Sequence, residues 1–599
     1  MPRRRGARRH YQEPRLTRST AHRILFLWVL AGCGHSAGVV TGSAPAPDDL
    51  ERLLDSLPVR AKAAQLVMPW LAGTYAADDA TVSSDVERWV DSLGVGGLIV
   101  SVGSPLDIAA KLNHLQTRSR LPLLVASDLE AGTAIRLVGG VAFPTNMGVA
   151  AGGRESDAYA MGRITALEAR AVGIHLAFAP VADVNNNPGN PIINVRSFGE
   201  DPRTVARFVS AAVRGMEEHG LLATAKHFPG HGDTEIDSHL SLHAVPADWQ
   251  RLDSLELVPF RAAVRAGASA IMSAHLAFPG LAKGGARPGT VMPEVLTGLL
   301  RDSLGFQGLV VTDALDMGAL VSAYGAGEAA VLALLAGADL LLQPAGAGTA
   351  VTAIVRAVES GRISRERLDR SVRRVLGLKH RLGLFERRTV PLEGVTASVG
   401  SAANWATARE VAARSIVLLK DSLGTLDSMR QAPRRVALVT YAEEQNLTAG
   451  VTLTGELRAA GYTVSTFRLW PASGLASFDS ARALVAQTGV VPVFAIAVRP
   501  MPWRGTVGMP EGLAALVRET ARTRPTILLS LGSPYLITQA PDVAAYLIGW
   551  SANPGAEWAA ARALGGAAIS GRLPIQVPPA YPLGAGLDRP AGQQRAHRK

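Results

Sequence analysis

A second cysteine is missing from this 599-residue sequence, so disulfides cannot hold its folded domains together. Cys33 stands alone, which neither supports nor excludes an extracytoplasmic location. A phosphate-binding loop is also missing, because no Gly-rich run is followed by Lys-Ser or Lys-Thr at a helix start. The apolar run at residues 24–33, ILFLWVLAGC, is too short to cross a bilayer.

The central part of the chain has no net charge, although the whole chain carries +11. Residues 1–23 contribute +7, from eight arginines and one glutamate, and residues 589–599 contribute +4. The remainder sums to zero. Because no stacking or helix-reading motif accompanies the charged ends, we predict no nucleic-acid partner.

The short apolar run is typical of a signal peptide. It follows the Arg-rich leader, and its end, Leu30-Ala31-Gly32-Cys33, resembles the bacterial lipobox, in which cleavage leaves a diacylated cysteine. The resemblance implies that residues 1–33 are a lipoprotein signal peptide. It also implies lipidation of Cys33 and a membrane-anchored, extracytoplasmic protein, periplasmic or at the cell surface. A buried thiol is the alternative. Residues 34–49 then form a flexible tether.

Eight short apolar runs alternate with amphipathic stretches between residues 64 and 343. They read QLVMPW, GLIVS, PLLVAS, HLAFAP, LATAKHF, SAIMSAH, LVVTD and ADLLL. This pattern predicts an α/β fold, a parallel (β/α)8 TIM-type barrel over residues 50–385. Chemistry-bearing residues stand at the ends of four runs: Asp128, His227, His275 and Asp313. Such barrels place their chemistry at that end of the strands.

A second alternating region follows a linker at residues 386–405. Its apolar runs are SIVLLK, RVALVT, TVSTFRL, VPVFAIA, TILLS and AYLIGW, with helical stretches between them. They predict an α/β sandwich domain over residues 406–580. Residues 581–599 are rich in Gly, Pro, Gln and Arg, which predicts a disordered basic tail.

The segment from Lys226 to His239, KHFPGHGDTEIDSH, carries the densest chemistry. A strand-like run ends there at Pro229-Gly230, where neither helix nor sheet continues easily, so the segment reads as an active-site loop. Asp237 and His239 are two residues apart and point the same way in an extended segment. A carboxylate beside an imidazole fixes the ring's tautomer, so the pair forms an acid/base dyad.

Five histidine and aspartate residues in this loop region also raise the possibility of a metallohydrolase. The spacing His227-x3-His231 is that of helical zinc ligands. Pro229 and Gly230 lie between the two rings and break the helix that would align them. We therefore predict no metal and no other cofactor.

Five segments together resemble glycoside hydrolase family 3, in its β-N-acetylglucosaminidase branch. They are KHFPGHGDTEIDSH, SDLEAGTAIR (127–136), FAPVADVNNNPGNPIINVRSFGEDP (178–202), MSAHLAFP (272–279) and VVTDALDMGAL (310–320). The segment LGSPY (531–535) resembles the second domain that is common in this family. One departure is Ala131, where the family usually has glycine; its methyl group could narrow the site near Glu130.

The resemblance implies roles for eight residues. Asp313 would be the nucleophile, and His239 would be the acid/base, held by Asp237. The substrate-binding positions of the family match Asp128, Arg136, Arg196, Lys226 and His227. Asp316 is an alternative nucleophile, but it begins a helix, where an acidic residue is ordinarily a cap or dipole feature.

The sequence therefore predicts a retaining, exo-acting β-N-acetylglucosaminidase. Its carbohydrate substrate would carry terminal N-acetylglucosamine, in peptidoglycan fragments or chitin-type oligosaccharides. The DSH loop favours this activity over β-glucosidase or xylosidase, whose acid/base is generally a glutamate of the second domain. The sequence also leaves open an N-acetylglucosaminide phosphorylase and a non-catalytic sugar-binding lipoprotein. The intact Asp313, Asp237 and His239 oppose a non-catalytic role.

Overall fold

The structure is a computed structural model that describes residues 47–74, 85–235, 244–245, 247–281, 287–431, 433–501 and 506–591. Two sheets organise it: one is curled and parallel, and the other is open and mostly parallel.

The curled sheet is a closed barrel. Its strands are β1 (Val67–Met68), β2 (Trp70–Leu71), β3 (Gly97–Val100), β4 (Leu124–Ser127), β5 (Leu176–Ala177), β6 (Leu222–Phe228), β7 (Ala270–Ser273), β8 (Leu309–Val311) and β9 (Leu341–Leu342). Strands β2 to β8 pair in sequence order. Strand β1 pairs with β9, and a parallel bridge from Val311 to Leu340 closes the circle. Because β1 and β2 belong to one apolar run, the eight predicted runs make eight positions, and the predicted barrel is confirmed.

Helices separate the barrel strands and bury one face against them. The α-helices are Pro47–Ser56, Val59–Ala64, Pro105–Arg118, Asn146–Ala151, Glu155–Ala171, Pro202–Glu217, Trp249–Ser254, Leu257–Arg265, Gly318–Ala336, Ala347–Glu359 and Arg365–Arg381. Arg88–Leu93 and Glu294–Ser303 are π-helical, and Thr133–Ile135, Asn194–Arg196 and Gly289–Val291 are 3₁₀ turns. Local sequence fixes several starts: Asp201 accepts a bond from the Thr204 N–H, and Pro202 takes the first helical position.

The open sheet contains all six runs of the predicted second domain, which confirms this part of the fold. Its strands are β10 (Val417–Asp421), β11 (Arg435–Tyr441), β12 (Thr463–Leu469), β13 (Val491–Ile496), β14 (Ile527–Ser530) and β15 (Ala545–Ile548). The order is β10-β15-β14-β13-β11-β12, with β10 antiparallel at one edge. The turn Leu392–Gly394 and the short helix Val395–Ser398 lie before this sheet in the chain and contact barrel helices. The helices and turns of the open sheet are Ala402–Ser415, Thr425–Met429, Val451–Ala459, Leu475–Val485, Glu511–Thr523, Pro534–Gln539 and Pro554–Leu564.

The first part of the predicted disordered tail, residues 581–591, is folded, and residues 592–599 lie outside the described residues. Residues 581–591 pack back on the open sheet, because Tyr581 pairs with Val577 and Arg589 pairs with Ile569. The Arg589 guanidinium lies 3.2 Å from the Asp421 carboxylate. This arginine therefore neutralises a folded carboxylate instead of adding to a free basic tail.

Barrel and open sheet share part of one core. Met147, Ala151 and Val195 of the barrel belong to the apolar cluster of the open sheet. Asn553 donates to the Phe143 carbonyl at 2.7 Å, and the Gln576 N–H donates to the Glu200 carboxylate at 2.9 Å. These contacts hold the two sheets with a cavity of about 900 Å³ between them.

Candidate active site

The C-terminal ends of the barrel strands bring the predicted residues to one cavity. Asp128 directly follows β4, Lys226 and His227 lie near the end of β6, and Asp313 stands two residues after β8. All four line the cavity, together with Arg196. Strand ends meet at one face of a parallel barrel, so residues far apart in sequence become neighbours there.

Two carboxylates and three cations form the floor of the cavity. The Lys226 ammonium lies 3.0 Å from Asp128 and 2.8 Å from Glu130. Arg196 binds both oxygens of Glu130, at 2.7 and 2.9 Å, and Arg136 lies 3.2 Å from Asp128. Lys226 is only 3% exposed, so water screens these pairs little. The floor thus offers rigid donors and acceptors of the kind that sugar hydroxyls need.

The floor's charges set its protonation states. Burial raises the pKa of the Glu130 carboxyl, but Arg196 and Lys226 lower it more, so it lies well below its usual value. For Asp128 the same competition, with Lys226 and Arg136, also lowers the pKa. Burial lowers the pKa of Lys226, but the two carboxylates raise it above its usual value. All three groups are therefore charged near neutral pH.

A buried Asp–His pair stands beside this floor. The Asp183 side chain is fully buried, and its carboxylate lies 2.7 Å from His227 Nδ1. Its other oxygen accepts bonds from the backbone N–H groups of His227 and His231, at 3.1 and 2.8 Å. His227 therefore carries a proton on Nδ1 and turns Nε2 toward Arg196, whose Nη2 is 3.5 Å away.

Asp313 is positioned by the backbone of Ala314, which His275 contacts in turn. The Ala314 N–H donates to Asp313 Oδ1 at 2.8 Å, and His275 Nε2 lies 2.9 Å from the Ala314 carbonyl. A carbonyl only accepts, so Nε2 carries a proton, while Nδ1 meets the Thr290 hydroxyl at 2.8 Å. Burial raises the pKa of Asp313, but His275, His227 and the Ala314 N–H lower it more, and the net shift is downward.

Asp316, the alternative nucleophile, also lines the cavity but lies at its rim. Its side chain is exposed and accepts a bond from the Gln343 amide at 2.8 Å. Asp313 is less exposed and lies closer to the charged floor, since His227 and Lys226 both act on its pKa. The geometry thus favours Asp313 for chemistry on a sugar that is bound at the floor.

Three sequence-predicted positions lie outside the described residues. They are Asp237, His239 and Cys33, and their roles stay predictions. Within the residues that the structure describes, no group of three His, Cys, Asp or Glu side chains is arranged to hold a metal. The His231 ring bonds to the Thr234 hydroxyl at 3.1 Å, and burial beside His227 lowers its pKa to about 4.

Glu130, Asp183 and the open-sheet side of the cavity were not predicted as site features. Both residues stand inside motifs quoted above: Glu130 lies two residues after Asp128, and Asp183 lies within FAPVADV. These carboxylates were the available signal, because buried cationic side chains need a carboxylate partner. Ala131 precedes Gly132, whose φ of 91° and tight fit against the Val141 carbonyl require glycine. The alanine at position 131 therefore replaces a family glycine next to, but not at, the position that needs glycine.

The part of the chain that the structure describes contains no helix long and apolar enough to span a membrane.

The chain is similar in sequence to known proteins. Residues 58–378 match the family described as the glycosyl hydrolase family 3 N terminal domain. A beta-N-acetylglucosaminidase/beta-glucosidase from Cellulomonas fimi is 32% identical over 479 residues, which are 77% of this chain and 85% of that protein. Beta-hexosaminidase A from Pseudoalteromonas piscicida is 33% identical over 343 residues, 52% of this chain and 57% of that protein.

Two solved structures are similar over most of the chain. A glycoside hydrolase family 3 beta-N-acetylglucosaminidase from Paenibacillus sp. str. FPU-7 superposes with a TM-score of 0.77 at 34% identity, covering 89% of this chain and all of that one. The beta-glucoside phosphorylase BglX superposes with a TM-score of 0.80 at 26% identity, covering 88% of this chain and 96% of that one.

Proposed function

The chain belongs to glycoside hydrolase family 3 and is a glycoside hydrolase, and on that premise we propose that it is a retaining, exo-acting β-N-acetylglucosaminidase. Its substrates would be peptidoglycan fragments or chitin-type oligosaccharides with terminal β-linked N-acetylglucosamine. One observation carries the proposal: the ionised Asp313 lines the same cavity as the charged floor that would hold a terminal sugar. The activities that the named relatives carry support the choice of sugar.

In the proposed reaction, Asp313 attacks the anomeric carbon and forms a glycosyl-aspartate. The bond from the Ala314 N–H occupies Oδ1, which leaves Oδ2 for attack. A lowered pKa keeps the carboxylate ionised, as a nucleophile must be. Water then cleaves the ester at the anomeric carbon, so two inversions retain the configuration.

The floor orients the sugar for that attack. Asp128 accepts from hydroxyls, whereas Lys226 and Arg196 donate to them, and each is already fixed by an ion pair. His227 adds the Nε2 atom that Asp183 holds in place. Groups fixed before binding lose little entropy when the sugar arrives, which supports catalysis by orientation.

The acid/base is proposed from the sequence alone. His239 would protonate the departing oxygen and later deprotonate water, with Asp237 holding its ring. His239→Ala should lose much less of its glycosylation rate on a dinitrophenyl glycoside than on a natural disaccharide, because a good leaving group needs little protonation. Equal losses on both substrates would remove His239 from the acid role.

Two assays test the whole proposal. A chromogenic N-acetylglucosaminide should be cleaved much faster than the matching glucoside; the reverse preference would contradict the choice of sugar. Asp313→Asn should nearly abolish turnover, whereas Asp316→Asn, the matched control at the rim, should keep most of it. A fluoro-sugar label on Asp316 instead of Asp313 would refute the assigned nucleophile.

A phosphorylase is the second candidate, because the similarity to a beta-glucoside phosphorylase extends over 88% of the chain. Phosphate would replace water against the glycosyl-aspartate and release a sugar 1-phosphate. Product analysis with and without inorganic phosphate separates the two reactions, since a hydrolase releases the free sugar in both.

We also propose that Cys33 is lipidated and anchors the enzyme to an extracytoplasmic membrane face. The motif LAGC after a short apolar run supports this proposal. Cys33→Ser should release the protein from membranes or block its processing. Unchanged membrane partition together with an unmodified Cys33 by mass spectrometry would contradict it.

A further inference from the structure

The cavity has more room than a sugar ring bound at the charged floor would fill. We call the part lined by the floor and Asp313 its inner half and the part lined by loops of the open sheet its outer half. The outer half includes Asn446 after β11, Arg499 after β13 and Asn553 after β15. Parallel sheets bind ligands beyond the C-terminal ends of their strands. The volume of about 900 Å³ also exceeds what a single sugar ring fills.

The outer half lies where the leaving group must go. In an exo-acting enzyme the terminal sugar fills the inner half, and the bond that breaks points outward. We infer that the open-sheet loops form a leaving-group subsite and that Arg499 binds an oxyanion there. This inference rests on the proposed function for the identity of the terminal sugar.

Charge pairing singles out Arg499 among the cations that line the cavity. Lys226, Arg196 and Arg136 are each paired with a floor carboxylate. Arg499 has no carboxylate within ion-pair distance in the described part of the chain, and its side chain is exposed to the cavity. A guanidinium group binds carboxylate or phosphate through a bidentate fork, so a fork without such a partner favours an anionic ligand.

The nearby acidic groups do not compete for Arg499. Asp316 accepts the Gln343 amide at 2.8 Å, and Glu443 has a partner of its own. Both carboxylates line the cavity, and among the described residues no ion pair joins either of them to Arg499.

Backbone strain supports a built binding surface in this part of the cavity. Gln343, directly after β9, has a φ of 43°, and Trp550, two residues after β15, has a φ of 67°. Both line the cavity, and neither is a glycine. Strained residues of this kind persist where the surrounding structure fixes them and they cluster at ligand sites. Gln343 and Trp550 thus form fixed parts of the wall of the cavity that Arg499 also lines.

Two sources could supply the oxyanion. One is a carboxylate on the leaving sugar, as in N-acetylmuramic acid, and the other is inorganic phosphate that attacks the glycosyl-aspartate. In the second case the phosphate oxygen bonds to the anomeric carbon, the ester bond to Asp313 breaks, and the aspartate regains its electron pair. Both ligands present the same chemistry to Arg499.

Binding is measured first, because it does not depend on turnover. Calorimetry with N-acetylmuramic acid and with inorganic phosphate compares the full chain with Arg499→Gln and Arg499→Lys. Arg499→Gln should weaken one of these ligands about tenfold, and Arg499→Lys, which keeps the charge, should weaken it less. Arg522→Gln is the control, since Arg522 is exposed on the open-sheet domain and does not line the cavity.

Steady-state kinetics then identify which ligand supplies the oxyanion that Arg499 binds. If the carboxylate is recognised, Arg499→Gln lowers kcat/KM about tenfold on N-acetylglucosaminyl-N-acetylmuramic acid but less than about twofold on di-N-acetylchitobiose. If phosphate is recognised, it instead lowers the rate of sugar 1-phosphate release. Unchanged binding of both anions overturns the inference, and so do equal losses on the two disaccharides when the assay contains no phosphate. Failure of the wild-type enzyme to cleave any N-acetylglucosaminide refutes the proposed function alone, because the calorimetry still decides the role of Arg499.

Discussion

Replacing Asp183 by asparagine should lower kcat/KM on an aryl N-acetylglucosaminide about 10- to 100-fold while the protein stays folded. The asparagine oxygen can still accept the two backbone N–H groups that Asp183 now accepts. Its amide nitrogen cannot accept the His227 Nδ1 proton, which now bonds to the carboxylate at 2.7 Å. The ring must then carry its proton on Nε2 instead.

The size of the effect on kcat/KM follows from the loss of this one hydrogen bond between His227 and the carboxylate. A hydrogen bond to a charged group contributes about 1.5–3 kcal/mol, and each 1.36 kcal/mol corresponds to about tenfold in rate. The new Nε2 proton would also face Arg196, whose nitrogen is 3.5 Å away and can only donate. The ring would therefore be held in the wrong tautomer, although the retained backbone bonds keep the loop in place.

Steady-state kinetics and thermal unfolding measured together isolate this effect. Asp157→Asn is the control, because it also removes a buried carboxylate, one that binds Arg414 at 2.9 and 3.0 Å on a helix outside the cavity. The control should lower the unfolding temperature with kcat/KM within about twofold of wild type. Wild-type kcat/KM in a folded Asp183→Asn variant would refute the orienting role of Asp183.

Two further predictions concern buried polar groups. His275→Gln keeps a donor for the Ala314 carbonyl and should retain more of the rate of labelling by a fluoro-sugar than His275→Leu, with inhibitor binding unchanged in both; equal rates would contradict a positioning role. Burial lowers the pKa of Lys379 to about 7 in the folded protein. Above that pH the unfolded chain binds more protons than the folded one, so the free energy of unfolding should rise by about 3–4 kcal/mol between about pH 7 and pH 10. Lys379→Met should remove this rise in denaturant titrations, although it leaves the side-chain amide oxygen of Gln65 without its donor; an unchanged dependence of stability on pH would contradict the lowered pKa.

The fold was predictable because its signals are local. Each of the fourteen apolar runs became a strand or a strand pair, and Asp128, His227 and Asp313 were found from their places at strand ends. The contacts that complete the site are not local. Asn553 bonds to Phe143, 410 residues away, and Asp183 meets His227 across 44 residues. No periodicity encodes such pairs, so the open-sheet wall and the buried partners of the cations emerged only from the structure.

The cluster that Met147, Ala151 and Val195 share with the open sheet has a consequence for folding. Side chains of one domain complete the interior of the other, so neither interior is closed until both have formed. Heating should therefore give one cooperative transition in calorimetry instead of two. A chain cut after residue 401 would leave these three residues facing water, which makes an isolated barrel prone to aggregation. The two domains of this enzyme should therefore fold and unfold together.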